Sequence, residues 1–298
     1  MSRFTSPDFL RRAGAKGTRA NPPPAVDLTR PSLARLHSFH LKGKDHFEAD
    51  RELAFKAEHA VPGFQDLVLG ERAFLQRAVR HLVEETGIRQ FVQIGCGLPA
   101  PGDPHEIAHE AEHPTAGDTR VVYATDDLMV LAHHRALLRD ERTIAVEGRL
   151  TEPRALLSAA ELRGFLDLER PVGLLLAGTL SHVPDLDAPG EHLAALRDLL
   201  APGSHLVLSH YCRPDAGLFP RDAARADQLE RVFREHRLTG YWRTKDRIQG
   251  FLNGWDVTAP GLIEVQSWRT LPVAPPVPGS YQMPHRNRRL LVGALARI

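Results

Sequence analysis

The chain has 298 residues, 42% hydrophobic and 25% charged, with a formal net charge of +1. This is the balance of a globular domain large enough to bury its own core, and it argues against a strong nucleic-acid footprint. The two cysteines, Cys96 and Cys212, do not make a disulfide framework and suit a reducing cytoplasm. No apolar run reaches the roughly 18 residues of a membrane span, and the basic N-terminus lacks the apolar stretch of a signal peptide.

Residues 1–30 are expected to form a flexible basic arm, closed by Pro22-Pro23-Pro24. Residues 31–86 follow as a helical segment. Ser32 can N-cap a helix running to Leu41. A Gly43-Lys44-Asp45 turn then leads to a helix from Glu48 to His59, which Pro62-Gly63 breaks. Leu67, Phe74, Leu75, Ala78, Val79, Leu82 and Val83 recur at helical spacing, so Leu67 to Glu85 is an amphipathic helix. Because the segment precedes the first strand, it is expected to lie as a lid over the site.

Residues 87–298 alternate strand and helix. The expected strands are Gln90–Ile94, Arg120–Thr125, Thr143–Glu147, Val172–Gly178 and Ser204–His210. Helices are expected at His105–His113, Leu128–Arg139, Pro153–Ala160, Glu161–Leu168 and Pro189–Leu200. This is the pattern of a parallel α/β sheet. A helical insertion at about 213–258 comes next, with helices at Arg221–Arg237 and Thr244–Leu252. Late strands are expected at Leu262–Arg269 and Arg289–Ala296, an antiparallel pair at the sheet edge, separated by a proline-rich stretch at 271–278.

The centre of the pattern is Phe91-Val92-Gln93-Ile94-Gly95-Cys96-Gly97-Leu98-Pro99, where a buried strand ends in two glycines one residue apart. Gly95 permits a sharp turn and Gly97 permits close approach of a ligand to the backbone. The third glycine of a dinucleotide fingerprint is missing, since Pro99 and Ala100 stand there.

The chain resembles a class I S-adenosylmethionine-dependent methyltransferase, and within that class the actinobacterial S-adenosyl methyltransferase family catalogued as DUF574. The resemblance runs from about Leu33 to the end. It rests on Gly43-Lys44-Asp45-His46-Phe47, Asp50-Arg51, Arg72-Ala73-Phe74-Leu75, Gly87-Ile88-Arg89-Gln90-Phe91, Gly95-x-Gly97-Leu98-Pro99 and His105-Glu106. Arg170-Pro171-Val172-Gly173-Leu174-Leu175, Val183-Pro184-Asp185 and Ala201-Pro202-Gly203-Ser204 complete it. It implies a Rossmann-like seven-stranded sheet in the order 3-2-1-4-5-7-6 with one antiparallel strand. It also implies S-adenosylmethionine as cofactor and methyl transfer to a small molecule.

Three acids of the family pattern are replaced. Gln93 stands before the first glycine, Thr125 ends the second strand ahead of Asp126 and Asp127, and Arg149 follows the third strand. In such folds these acids support the methionine end, the ribose hydroxyls and the adenine amino group. The implied cofactor set is therefore Gln93, Gly95, Cys96, Gly97, Thr125, Asp126, Asp127, Arg149 and Thr179, with binding weakened or lost. Each unpaired polar group costs about 1–3 kcal/mol. Alternatively, Asp126 turns into the ribose role and Glu147 or water serves the adenine.

On the acceptor side, His182 after the fourth strand is a candidate general base. His37 and Tyr211 are the other candidate catalytic residues. His105-Glu106-Ile107-Ala108-His109 spells the helical zinc-peptidase signature, but a third ligand is not evident, and no metal is expected. The leading expectation is a cytoplasmic methyltransferase with a small-molecule substrate and neither nucleic-acid nor membrane partners. The alternatives are a methyltransferase fold repurposed for another reaction, such as cyclisation of a natural-product intermediate, or a non-catalytic binding module.

Overall fold

The computed structural model describes residues 26–112, 117–138, 140–269 and 285–298. Residues 1–25 of the expected arm, His113 and the stretch 271–278 lie outside the described residues.

Among the described residues the first helices are α1 (Leu33–His40), α2 (Glu48–Ala60) and α3 (Phe64–Glu84). Ser32 caps α1 by accepting a hydrogen bond from the Arg35 amide. The buried Asp50 carboxylate joins α1 to α2. It pairs with Arg35 Nε at 2.8 Å and accepts from the Ser32 and Phe47 amides. A buried pair with all its hydrogen bonds made fixes one geometry for this segment.

The strands are β1 (Gln90–Ile94), β2 (Arg120–Thr125), β3 (Thr143–Glu147), β4 (Gly173–Leu176) and β5 (His205–Tyr211). Between them run α4 (Pro104–Ala111), α5 (Leu128–Leu137), α6 (Pro153–Ser158), α7 (Ala160–Phe165) and α8 (Pro189–Leu199). After β5 come α9 (Pro220–Glu235), α10 (Lys245–Phe251), β6 (Asp256–Val257), β7 (Ile263–Glu264) and β8 (Leu291–Arg297). The sheet order is β3-β2-β1-β4-β5-β8-β6, with β7 also on β8. The first five strands are parallel, and β8 runs antiparallel to β5.

Side chains alternate across this sheet as its period demands. Phe91, Tyr123, Leu175, Val207 and Tyr211 join the core under α3. Val92, Ile94, Val122, Leu174, Leu176 and Leu206 join the core on the other face, with α6 to α8. The result is a three-layer fold with helices on both faces of the sheet.

One expected strand is corrected. The segment Leu262–Arg269 pairs with β8 only through Ile263 and Glu264, and then turns into a short 3-10 helix, Val265–Ser267. The reason is packing. Val265 and Trp268 are fully buried, and Arg77 of α3 bonds their carbonyl oxygens at 2.7 and 3.1 Å. Those carbonyls are taken from the ladder. The edge position expected for one strand is filled by two fragments, β6 and β7. With these fragments counted as one strand, the expected order 3-2-1-4-5-7-6 is the observed one.

Candidate active site

A cavity of about 620 Å³ opens at the carboxyl ends of β1, β2 and β4, with α1 and α3 forming its other wall. This is where ligands enter open α/β sheets.

The glycine loop forms its floor. Gly95 has φ +74°, and a Cβ added there would stand 2.7 Å from Thr179 Cγ2, so no other residue fits without strain. Thr179 in turn donates its hydroxyl to the Ile94 carbonyl at 2.7 Å. A Cβ on Gly97 would meet nothing within 4 Å. The loop is held from behind. His134 donates Nε2–H to the Gly97 carbonyl at 2.9 Å and stacks on Tyr123 at 4.5 Å. Arg72 of α3 pairs with Asp103 at 3.1 Å and bonds the Ala100 carbonyl at 2.9 Å. Cys96 is buried in the loop, and burial pushes its thiol far above the usual range, so it is no nucleophile.

Beyond the loop, Thr125, Asp126, Asp127 and Arg149 line the same cavity. Their surroundings separate them. Asp127 N-caps α5, accepting from the Met129 and Val130 amides at 2.9 and 3.2 Å. Thr125 Oγ1 accepts from the Asp127 amide at 3.1 Å. Asp126 has Arg149 beside it at 3.8 Å, and Arg149 also faces Glu152 at 3.7 Å. These three side chains are half-exposed, so their attraction is screened. Gln93 lines the cavity from β1 and is buried.

The opposite end is built from different chemistry. His37 on α1 and His182 on the 3-10 turn Thr179–His182 both line the cavity. Burial pushes each imidazole down to about 4, so both are neutral at pH 7. His182 Nδ1 lies 2.7 Å from the Thr239 carbonyl. A carbonyl only accepts, so Nδ1 carries the hydrogen and Nε2 holds the lone pair. His37 Nε2 is buried without a partner among the described residues. Tyr211 is buried behind this pair rather than in the wall. It meets the His182 ring edge-on at 5.6 Å and stacks on Trp242 at 4.5 Å. Arg243 pins the turn that carries His182, bonding the Leu180 and Val183 carbonyls at 2.9 and 2.6 Å and pairing with Asp185 at 2.9 Å.

One cavity residue was missed from the sequence. Glu71 of α3 is only 7% exposed, and burial raises its carboxyl to about 7. Its Oε1 accepts from the Ser209 hydroxyl at 2.6 Å. The available signal was an acid on the apolar stripe of a helix, four residues from Leu67 and from Leu75.

The zinc-signature histidines are engaged separately. His105 Nδ1 bonds the Tyr123 hydroxyl at 2.8 Å, and His109 Nδ1 faces Asp140 at 3.1 Å. Among the described residues, no cluster of three or more metal-ligating side chains is found. Nor is any helix of the described residues long and apolar enough to cross a membrane.

A glycine cradle at the end of the first parallel strand, acids after the second, and a β8 strand inserted antiparallel beside β5 define the class I methyltransferase fold. The comparisons with known proteins agree. The family model described as S-adenosyl methyltransferase matches residues 19–298, and the chain belongs to that family. A crystallised candidate methyltransferase from Thermobifida fusca is 33% identical, with a TM-score of 0.79 over 94% of this chain and 99% of its own. A DUF574 family protein from Streptomyces avermitilis is 30% identical, with a TM-score of 0.81 over 92% of this chain and 99% of its own. No curated protein matches.

The cofactor of the family is S-adenosylmethionine. The residues present fit it. Open space over Gly97 admits a ligand against the backbone, and the Asp126 carboxylate stands at the cavity beside the end of β2. Arg149 is the exception, a donor-only cation near the outer rim.

Proposed function

We propose that this protein transfers the methyl group of S-adenosylmethionine to a small molecule held between the glycine loop and α1. The observation that carries this reading is one continuous cavity, lined at one end by Gly95–Gly97 and at the other by His37 and His182. In this reading Gln93, Gly95, Cys96, Gly97 and Thr179 border the methionine end. Thr125 and Asp126 serve the ribose, Asp127 acts through the cap of α5, and Arg149 stands at the adenine edge.

When bound, the cofactor supplies an electrophilic methyl group on a sulfonium. The chain contributes orientation and exclusion of water. His182 keeps Nδ1–H on Thr239, so Nε2 accepts a hydrogen bond from the acceptor and aims its lone pair. Burial lowers its basicity, with the pKa down to about 4, so it orients more than it removes protons. His37 offers a second ring from α1, and Tyr211 supports His182 from behind. Residues 31–86 serve as the lid, with α1 as the part that touches substrate. A net charge of +1 favours a small molecule over a nucleic acid as acceptor, and two buried free thiols suit the cytoplasm.

Co-crystallisation with S-adenosylhomocysteine tests the reading. Nucleoside density between Gly97 and Asp126 is expected. A cavity that stays empty under saturating ligand overturns it.

A further inference from the structure

Resting on the methyl-transfer reading, a second observation concerns what is methylated. Glu71 carries a carboxyl that is more than nine-tenths buried yet lines the cavity. Its position is well defined. Ser209 of β5 donates to Oε1 at 2.6 Å while accepting from the Gly178 amide at 2.9 Å, and a Cβ on Gly178 would stand 3.0 Å from Oε1. Among the described residues nothing bonds Oε2 and no cation pairs with this carboxyl. The adjacent Arg72 is committed to Asp103.

The neighbours share this character. His182 presents a bare Nε2, and His37 a buried Nε2 without a partner. Leu33, Leu41, Val68, Leu75 and Leu238 supply apolar lining, beside Ser32, Ser38 and Thr239. A buried carboxylate without a counter-charge is costly, and a ligand that brings the charge removes that cost. A neutral alcohol does not.

We infer that the methyl acceptor is an amine on an apolar body, bound as its ammonium ion against Glu71. Glu71 then takes one proton from the ammonium. The freed nitrogen lone pair forms the bond to the methyl carbon as the methyl–sulfur bond breaks. That bond's electron pair stays on sulfur, leaving a neutral thioether, and the positive charge passes to the methylated nitrogen. A carboxyl poised near neutrality is suited to receive the proton.

His37, His182 and Tyr211 each keep one charge state near neutral pH. His37 on α1 and His182 after β4 are neutral above about 4. Tyr211 on β5 is raised by burial and by Glu71 itself, so it stays neutral. Arg72 and Asp103 pair with each other. The pH dependence of amine binding between 6 and 8 therefore reports Glu71.

The test is calorimetry with benzylammonium and benzyl alcohol on the protein saturated with S-adenosylhomocysteine. The expected result is at least about tenfold tighter binding of benzylammonium at pH 8, a preference that shrinks at pH 6. In Glu71→Gln the preference disappears while nucleoside affinity and the thermal melting transition persist, which shows an intact pocket. A wild-type protein without the preference, or a preference that survives Glu71→Gln, overturns the amine inference alone. So does loss of nucleoside affinity in Glu71→Gln, which would assign the carboxylate to the cofactor. A wild-type protein that binds no S-adenosylhomocysteine overturns the methyl-transfer reading itself, and this inference with it.

Discussion

The two ends of the cavity are built on opposite principles. At the proposed cofactor end Asp126, Arg149 and Glu152 are charged, half-exposed and loosely paired at 3.7–3.8 Å. At the proposed acceptor end burial has pushed His37, His182 and Glu71 each toward its neutral form. Changes at the first end should alter ligand affinity with little effect on stability, because water screens those charges. Changes at the second should alter stability and its pH dependence as well as chemistry, because desolvation makes protonation there expensive.

The largest expected effect is acid lability beneath the acceptor end. His210, fully buried and bonded to Arg243 at 3.1 Å, is lowered from 6.5 to about 3, and His37 and His182 to about 4. A depressed folded value means fewer protons bound in the folded state. The contribution is full above pH 6.5 and is lost as pH falls through the folded values. For His210 alone it is on the order of 3 kcal/mol. Thermal melting followed from pH 7 to pH 4 should therefore drop steeply, and His210→Gln should flatten the curve. A melting temperature indifferent to pH in this window would break the contrast between the two ends.

Glu71 gives the next effect, with the opposite sign. Its folded value is raised from 4.5 to about 7, so its stabilising protonation is complete below pH 4.5 and lost as pH rises through 7. Glu71→Gln should gain on the order of 2 kcal/mol at pH 8 and nothing at pH 4. Denaturant titrations at the two pH values check this.

At the cofactor end the pattern should invert. Gly97→Leu places a side chain in open space, so melting should barely move while S-adenosylhomocysteine affinity falls by at least about tenfold. Arg149→Ala is the smallest change in stability, within about 0.5 kcal/mol, since an exposed pair contributes little.

The same contrast governs what was legible in the sequence. Strands β1, β2 and β3 were bounded to the residue, because a buried strand followed by Gly95, by Asp126-Asp127 or by Gly148 carries its own punctuation. That Gly95–Gly97, Thr125–Asp127 and Arg149 line one cavity was legible for the same reason, since they sit just after strands in local motifs. The acceptor end is assembled from α1, α3, the turn after β4 and β5, which lie far apart in the chain. His182 and His37 were reachable through resemblance, but the neutral state of both rings follows from burial alone. Glu71 is hidden in the sequence because one acid on an apolar helical stripe does not break its period. The edge after Ile263 was misread because Arg77, nearly two hundred residues earlier, takes the carbonyls a strand would use.

Cofactor affinity tests methyl transfer most directly. Calorimetry should compare S-adenosylmethionine binding by the natural chain and by a variant combining Thr125→Asp with Arg149→Asp. Weak binding by the natural chain is predicted, tightened about tenfold or more in the variant, since each new carboxylate offers an acceptor to a poorly paired donor. Tight binding by the natural chain would contradict that weakness and show that Asp126 holds the ribose without help from an acid at position 125. No binding by either protein would contradict methyl transfer.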